Sequence, residues 1–226
     1  MKKLVVLTGA GVSRESGLKT FREADGLWEG HDVMEVASPI GFAKNPELVL
    51  EFYNQRRKQL LDVQPNEAHR NIVELENYFD VTIVTQNVDD LHERAGSSNV
   101  VHLHGELFKV RSTANPNYIL EWKTALNLGD LCPEKYQLRP HVVWFGEDVP
   151  MFSKAVEIVQ DAEIIIIIGT SMQVYPAASL FQYASTDNIY YIDPNPNTVG
   201  FPSFIQVISE KATLGTRLLL NKLITN

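Results

Sequence analysis

The run Thr8-Gly9-Ala10-Gly11-Val12-Ser13-Arg14-Glu15-Ser16-Gly17 is the first stretch whose residue types could do chemistry. Glycines at 9 and 11 permit a tight turn and let a phosphate approach backbone N–H groups where a helix begins. The dinucleotide fingerprint wants a third glycine at position 14, where this chain has Arg14. It also wants an acid closing a second strand about 20 residues later, and none is evident. Taken alone, the run is either a nucleotide loop or a strand-to-helix turn that needs small residues. Shortly after it, in Phe21-Arg22-Glu23-Ala24-Asp25, Arg22 could clamp a pyrophosphate through two parallel hydrogen bonds or pair with Glu23 or Asp25 at the surface.

Three more polar clusters follow apolar runs. Val84 precedes Thr85-Gln86-Asn87-Val88-Asp89-Asp90, Val100-Val101 precedes His102-Leu103-His104-Gly105, and Ile168 precedes Gly169-Thr170-Ser171. A histidine with a pKa near ~6.5 can accept a proton near neutrality. His102 and His104 are two apart and face opposite ways if the segment is extended, so one of them faces a cleft. Asp89 could bind a ligand or cap a helix over 90–94. Tyr53 and Arg56 are three apart in a helical pattern and share a face. By themselves they read as a packed phenol and a member of the solvated run Arg56-Arg57-Lys58.

The elements that must position these groups follow from periodicity. Leu4–Leu7, Val81–Val84, Ile164–Ile168 and Ile189–Ile192 are Val/Ile-rich runs without polar alternation, as strands covered on both faces should be, and Phe204–Ile208 is a fifth candidate. Helices are expected over 46–63, over 66–79 with Asn66 as cap, and over 214–224. This alternation predicts an α/β fold with an open parallel, Rossmann-like sheet, whose carboxyl strand ends line a ligand crevice. Segments of about 23–63 and 109–140 fit the alternation badly and are longer than ordinary connections, the second with no strand or helix of useful length. They are expected to form a small subdomain inserted in one domain spanning 1–226.

Composition narrows the classes. With 226 residues, 44% hydrophobic and 21% charged, the chain can bury a large core, which excludes disorder, collagen and coiled coil. The 20 basic and 28 acidic residues give a net charge of -8, a poor footprint for nucleic acid or an anionic membrane. The apolar start ends at Thr8-Gly9, too short for a signal peptide, and Ile164–Ile168 is too short to span a bilayer. The lone Cys132 forms no internal disulfide and is compatible with a cytoplasmic location.

In order and spacing, Gly9-Ala10-Gly11-Val12-Ser13, Ser16-Gly17, Phe21-Arg22, Gln86-Asn87-Val88-Asp89, His102-Leu103-His104-Gly105, Val143-Trp144-Phe145-Gly146-Glu147, Gly169-Thr170-Ser171 and Val174-Tyr175-Pro176-Ala177-Ala178 together resemble the sirtuin family of NAD-dependent protein deacylases. The resemblance covers nearly the whole chain. It implies a large NAD-binding sheet domain, a small inserted domain, and acyl-lysine protein or peptide substrates that meet NAD between them. It implies that the acyl oxygen attacks the nicotinamide ribose, that nicotinamide leaves, and that His104 serves as general base toward a ribose hydroxyl. It places Gly9, Ala10, Gly11, Ser13, Phe21 and Arg22 on NAD, and Gln86, Asn87 and Asp89 at the nicotinamide and its ribose, with Asn87 in the catalytic set. Gly169, Thr170 and Ser171, and less directly Asp193, Asn195 and Ala212, fall to the adenosine side. Val143, Phe145 and Gly146 would flank the peptide, which adds as a strand.

The resemblance also changes the reading of Tyr53 and Arg56. The desuccinylase-type class carries a Tyr and an Arg at this spacing, where they hold the distal carboxylate of succinyl- or malonyl-lysine, and the small Ala24 would leave room for the longer chain. Most sirtuins hold a structural zinc with four cysteines. Here Lys109-Val110-Arg111-Ser112 stands where the first pair would begin and Cys132 is alone, so no zinc is expected. Leu120, Trp122, Leu126, Leu128 and Leu131 are expected to supply an apolar core instead. A monomer is expected. The other functions open to such a chain are NAD-dependent ADP-ribosyl transfer and NAD sensing without turnover.

Overall fold

The computed structural model describes residues 1–19, 27–28, 30–196 and 198–225. The strands in chain order are β1 (Lys3–Thr8), β2 (Leu27–Trp28), β3 (His31–Asp32), β4 (Asp80–Thr85), β5 (Val100–His102), β6 (Gly105–Ser112), β7 (Ile119–Glu121), β8 (Leu138–Val142), β9 (Ile164–Ile168), β10 (Ile189–Ile192) and β11 (Gln206–Ile208). The α-helices are α1 (Val33–Val36), α2 (Pro39–Lys44), α3 (Pro46–Asp62), α4 (Glu67–Leu75), α5 (Leu91–Ala95), α6 (Phe152–Gln160) and α7 (Ala212–Thr225).

Among the described residues, β11-β10-β9-β1-β4-β5 form one six-stranded sheet, parallel at every pairing. Its apolar strands lack polar alternation because both faces are covered. Leu4, Val6, Ile164 and Ile166 face Ile72 of α4 and Leu219 and Leu220 of α7. The intervening Val5, Leu7, Ile165 and Ile167 face Ala155 and Val159 of α6, and Leu180 and Phe181 of a 3-10 segment. Each buried Val, Leu, Ile or Phe among them contributes about 1.5–3 kcal/mol. The chain adds β4 and β5 on one side of β1, and β9, β10 and β11 on the other. The direction therefore reverses between β1 and β9, where open parallel sheets take their ligands.

Boundaries differ from expectation at the margins. Asn66 caps α4, accepting from the Ala68 amide at 2.9 Å, but α4 stops at Leu75 rather than at 79. The fifth strand begins only at Gln206. The larger correction concerns 109–140, which does contain regular structure: an antiparallel sheet in the order β7-β6-β8. Lys109 and Arg111 obscure β6 because they alternate with the buried Phe108 and Val110. Pro140 argues against a strand, yet β8 is an edge strand, where proline is tolerated.

This sheet packs on α3. Leu50 of α3 meets Val110, Leu126, Cys132 and Leu138, with Leu120 and Trp122 partly buried against them. Leu128 and Leu131, expected in this core, are instead about half exposed (47% and 48%). Polar side chains of α3 contribute too. Arg57, 1% exposed, donates from Nε to the Leu107 carbonyl at 3.1 Å and from Nη1 to Asn54 Oδ1 at 2.6 Å. Asn54 in turn exchanges two hydrogen bonds with the Leu126 backbone, at 3.0 and 2.8 Å. Arg57 is thus no part of a solvated run, and burial lowers its pKa to about 10. Among the described residues no group of three or more His, Cys, Asp or Glu side chains is placed to hold a metal ion.

With a single cysteine in the sequence, metal analysis of the purified protein is expected to find well under one zinc per chain, and one zinc per chain would contradict that expectation. In thermal unfolding, Arg57→Met should lower Tm by several degrees, since stranding buried partners costs about 1–3 kcal/mol.

Candidate active site

The glycine run leads into two 3-10 turns, Ala10–Val12 and Arg14–Ser16, closed by Gly17 at φ 98°. No α-helix starts there, which corrects the expectation of a helix N-terminus. The glycines answer a different demand. Gly9 N–H donates to the Ile168 carbonyl at 3.0 Å and Gly11 N–H to the Gly169 carbonyl at 2.8 Å. A Cβ on Gly11 would lie 2.6 Å from Gly169 Cα, and one on Gly169, whose φ is +60°, would lie 2.4 Å from the Val12 nitrogen. The two loops at the switch point interlock backbone against backbone.

Outside this junction lies a cavity of about 850 Å³. Gly9, Ala10, Gly11 and Ser13 line it, with Gln86, Asn87, Asp89 and His104. Gly169, Thr170 and Ser171 contribute from the end of β9, and Asp193, Asn195 and Ala212 from the end of β10 and the start of α7. Tyr53 and Arg56 of α3 close another side, beside Val143, Phe145 and Gly146. Every expected site residue that is described thus borders one space. Phe21, Arg22 and Ala24 lie outside the described residues.

The polar groups are cross-braced. Gln86 donates its backbone N–H to the Thr8 carbonyl at 2.9 Å and its side-chain Nε2 to Thr170 Oγ1 at 3.2 Å, tying β4 to the β1 and β9 ends. Ser13 Oγ donates to Asp89 Oδ2 at 3.0 Å and accepts from Asn87 Nδ2 at 3.3 Å. Asp89 Oδ1 also accepts from the Leu91 amide at 3.2 Å, so Asp89 supports the start of α5 while facing the cavity. Burial pushes the Asp89 carboxyl up to about 6, against the lowering effect of those two donors.

His104 and His102 divide as their spacing predicts. His104 Nδ1 lies 3.0 Å from the Gln86 carbonyl, which can only accept, so Nδ1 carries the proton and Nε2 keeps a lone pair. Burial lowers its pKa, and the neutral imidazole is favoured. His102 instead uses both nitrogens, Nδ1 toward the Asn87 carbonyl at 2.9 Å and Nε2 toward Glu93 Oε1 at 2.8 Å. Burial opposes its charge, but the Glu93 carboxylate and the carbonyl outweigh burial and raise its pKa.

Tyr53 is fully buried, its oxygen 2.9 Å from Trp144 Nε1, and burial holds its hydroxyl well above the ordinary tyrosine range. The Arg56 guanidinium stacks 4.5 Å from the Phe52 ring centre. Two groups were missed from the sequence. Glu147, although it stands in a quoted motif, ties Arg111, Arg139 and the Trp144 amide together. Glu15 caps α7, accepting from the Thr213 amide at 3.0 Å. A run of sequence carries no signal for such long-range pairs.

Residues 9–176 match the Sir2 family. A protein named NAD-dependent protein deacylase from Helicobacter pylori is 59% identical over 225 residues, covering 99% of this chain and 98% of that protein. One of the same name from Bacteroides thetaiotaomicron is 52% identical, covering 99% of each. A solved Sir2 homologue–NAD complex superposes with a TM-score of 0.87 at 41% identity, covering 99% of this chain and 90% of that one.

Titration by NMR should find His104 as the Nδ1–H tautomer with a pKa below the ordinary ~6.5, and His102 titrating above it. The reverse order would contradict the assigned geometry.

Proposed function

The chain belongs to the Sir2 family and is an NAD-dependent protein deacylase, and from that premise we propose that it removes carboxylate-ended acyl groups, succinyl and malonyl, from lysine, and accepts acetyl as well. One observation carries the proposal: Tyr53 and Arg56 border the same cavity as His104. A phenol and a guanidinium supply charge-assisted hydrogen bonds to a carboxylate, whereas a methyl group gives them nothing to bind.

The residues present fit NAD. The cavity, about 850 Å³, is at the large end of ligand pockets, and it runs from the interlocked glycine loops to the polar set around Gln86, Asn87 and Asp89. When bound, NAD supplies a ribose carbon from which nicotinamide can leave. His104 holds an unprotonated Nε2 ready to take a proton from a hydroxyl, and the Gln86 carbonyl maintains that tautomer. Asn87, Ser13 and Asp89 hold one another rigid, so that little reorganisation is needed as charge develops. Val143, Phe145 and Gly146 form the wall along which the lysine-bearing backbone would lie.

On this reading the segments of about 23–63 and 109–140 form the small subdomain, and the enzyme works as a zinc-free monomer on acyl-lysine proteins or peptides. The buried, free Cys132 supports a reducing, cytoplasmic setting. No described helix is long and apolar enough to cross a membrane.

Arg56→Met should reduce kcat/KM about 10–100-fold more for a succinyl-lysine peptide than for its acetyl counterpart, the worth of one or two hydrogen bonds to a charged group. Equal losses on both peptides would sink the carboxylate reading. Because the base must be neutral and burial lowers the His104 pKa, activity should rise with pH along an acid limb whose midpoint lies below the ordinary histidine value of about 6.5. An acid limb centred above pH 7 would contradict His104 as the base.

A further inference from the structure

Trp144 is 2% exposed and takes no part in the chemistry described so far. It is nevertheless held by several neighbours beside the cavity. The Arg139 guanidinium lies 3.3 Å from its ring centre, and the Phe42 ring is 5.3 Å away on a tilt of 44°. Its backbone N–H donates to Glu147 Oε2 at 2.8 Å. Glu147 is itself fixed by Arg139, at 2.6 and 3.1 Å, and by Arg111 at 3.1 Å. The indole therefore cannot turn, and its Nε1–H points at the Tyr53 oxygen, 2.9 Å away.

An indole N–H can only donate, so the Tyr53 oxygen must accept, and the phenol's own proton is left for another partner. Among the described residues, this accepted bond is the one hydrogen bond that the Tyr53 side chain makes. Accepting a hydrogen bond also polarises the phenol and strengthens it as a donor. Burial keeps the phenol neutral, so its proton is present across the working pH range.

From this geometry we infer that Trp144 is a positioning residue for acyl specificity: its indole N–H occupies the Tyr53 oxygen and turns the phenol proton toward the cavity, where it meets a group that can only accept. Glu147 and Arg139 hold Trp144 in that pose. A lone phenol could accept from an amine or an amide as readily as it donates. A phenol locked in this way favours an oxyanion, the chemistry that the neighbouring Arg56 also favours. The inference rests on the carboxylate reading of Tyr53 and Arg56.

The test compares succinyl- and acetyl-lysine forms of one peptide with NAD, for wild type, Trp144→Phe and Arg56→Met. Trp144→Phe keeps an aromatic ring and removes the donor. It should raise the succinyl-to-acetyl KM ratio about 5–20-fold, with a smaller change in kcat. Tyr53→Phe should raise the ratio similarly, and the double variant should add little, as expected of residues acting through one bond. If Arg56→Met shifts the ratio and Trp144→Phe does not, the inference fails while the carboxylate reading stands. If Arg56→Met leaves the ratio unchanged, both fail. Should Trp144→Phe not fold, the wild-type Trp144 indole proton serves instead. Its NMR signal should move downfield with the succinyl peptide and not with the acetyl peptide, and identical shifts with both would overturn the inference.

Discussion

Between β1 and β9 the Gly11 and Gly169 backbones approach so closely that a Cβ on either would fall inside the other loop. The rest of the site hangs from this contact. It fixes the carboxyl ends of two central strands, and Gln86 then bridges both, through the Thr8 carbonyl and Thr170 Oγ1. The Gln86 carbonyl in turn holds His104. The path from the sheet's switch point to the candidate base is therefore one short series of hydrogen bonds. Burial beneath it makes each bond expensive to leave unmade.

The same burial sets the charge states. His102 and His104 are two residues apart and leave the backbone on opposite sides. One meets the Glu93 carboxylate, and the other, among the described residues, meets the Gln86 carbonyl and the cavity. Desolvation acts on both, and among the described residues a carboxylate offsets it at His102 but not at His104. The protonated form is thus favoured at His102 and the neutral form at His104. The end proposed to bind a carboxylate is arranged in the same spirit. Trp144, held by Glu147 and Arg139, packs in the apolar cluster and also directs one N–H at the Tyr53 oxygen.

Much of this was legible in the sequence because it was local. Runs such as Ile164–Ile168 declared buried parallel strands, Asn66 declared a cap, and the polar clusters after apolar runs declared the cavity rim. What was misread depends on partners distant in the chain. The glycine run suggested a helix N-terminus, whereas its glycines are required by Gly169, more than 150 residues on. β6 and β8 were hidden by Lys109, Arg111 and Pro140, which are acceptable only because those strands have one open side or a free edge. Arg57 looked like one charge in a solvated run, and it is the buried tie between α3 and the small sheet. Leu128 and Leu131 looked like core, but half of each is at the surface.

The central claim is that this cavity transfers a carboxylate-ended acyl group from lysine to NAD with His104 as base. The direct measurement is mass spectrometry of a succinyl-lysine peptide incubated with NAD and the enzyme. The account predicts free lysine peptide, nicotinamide and O-succinyl-ADP-ribose in equal amounts, and none of them with His104→Ala. ADP-ribosylated protein with the succinyl group still in place, or NAD left unchanged, would contradict it.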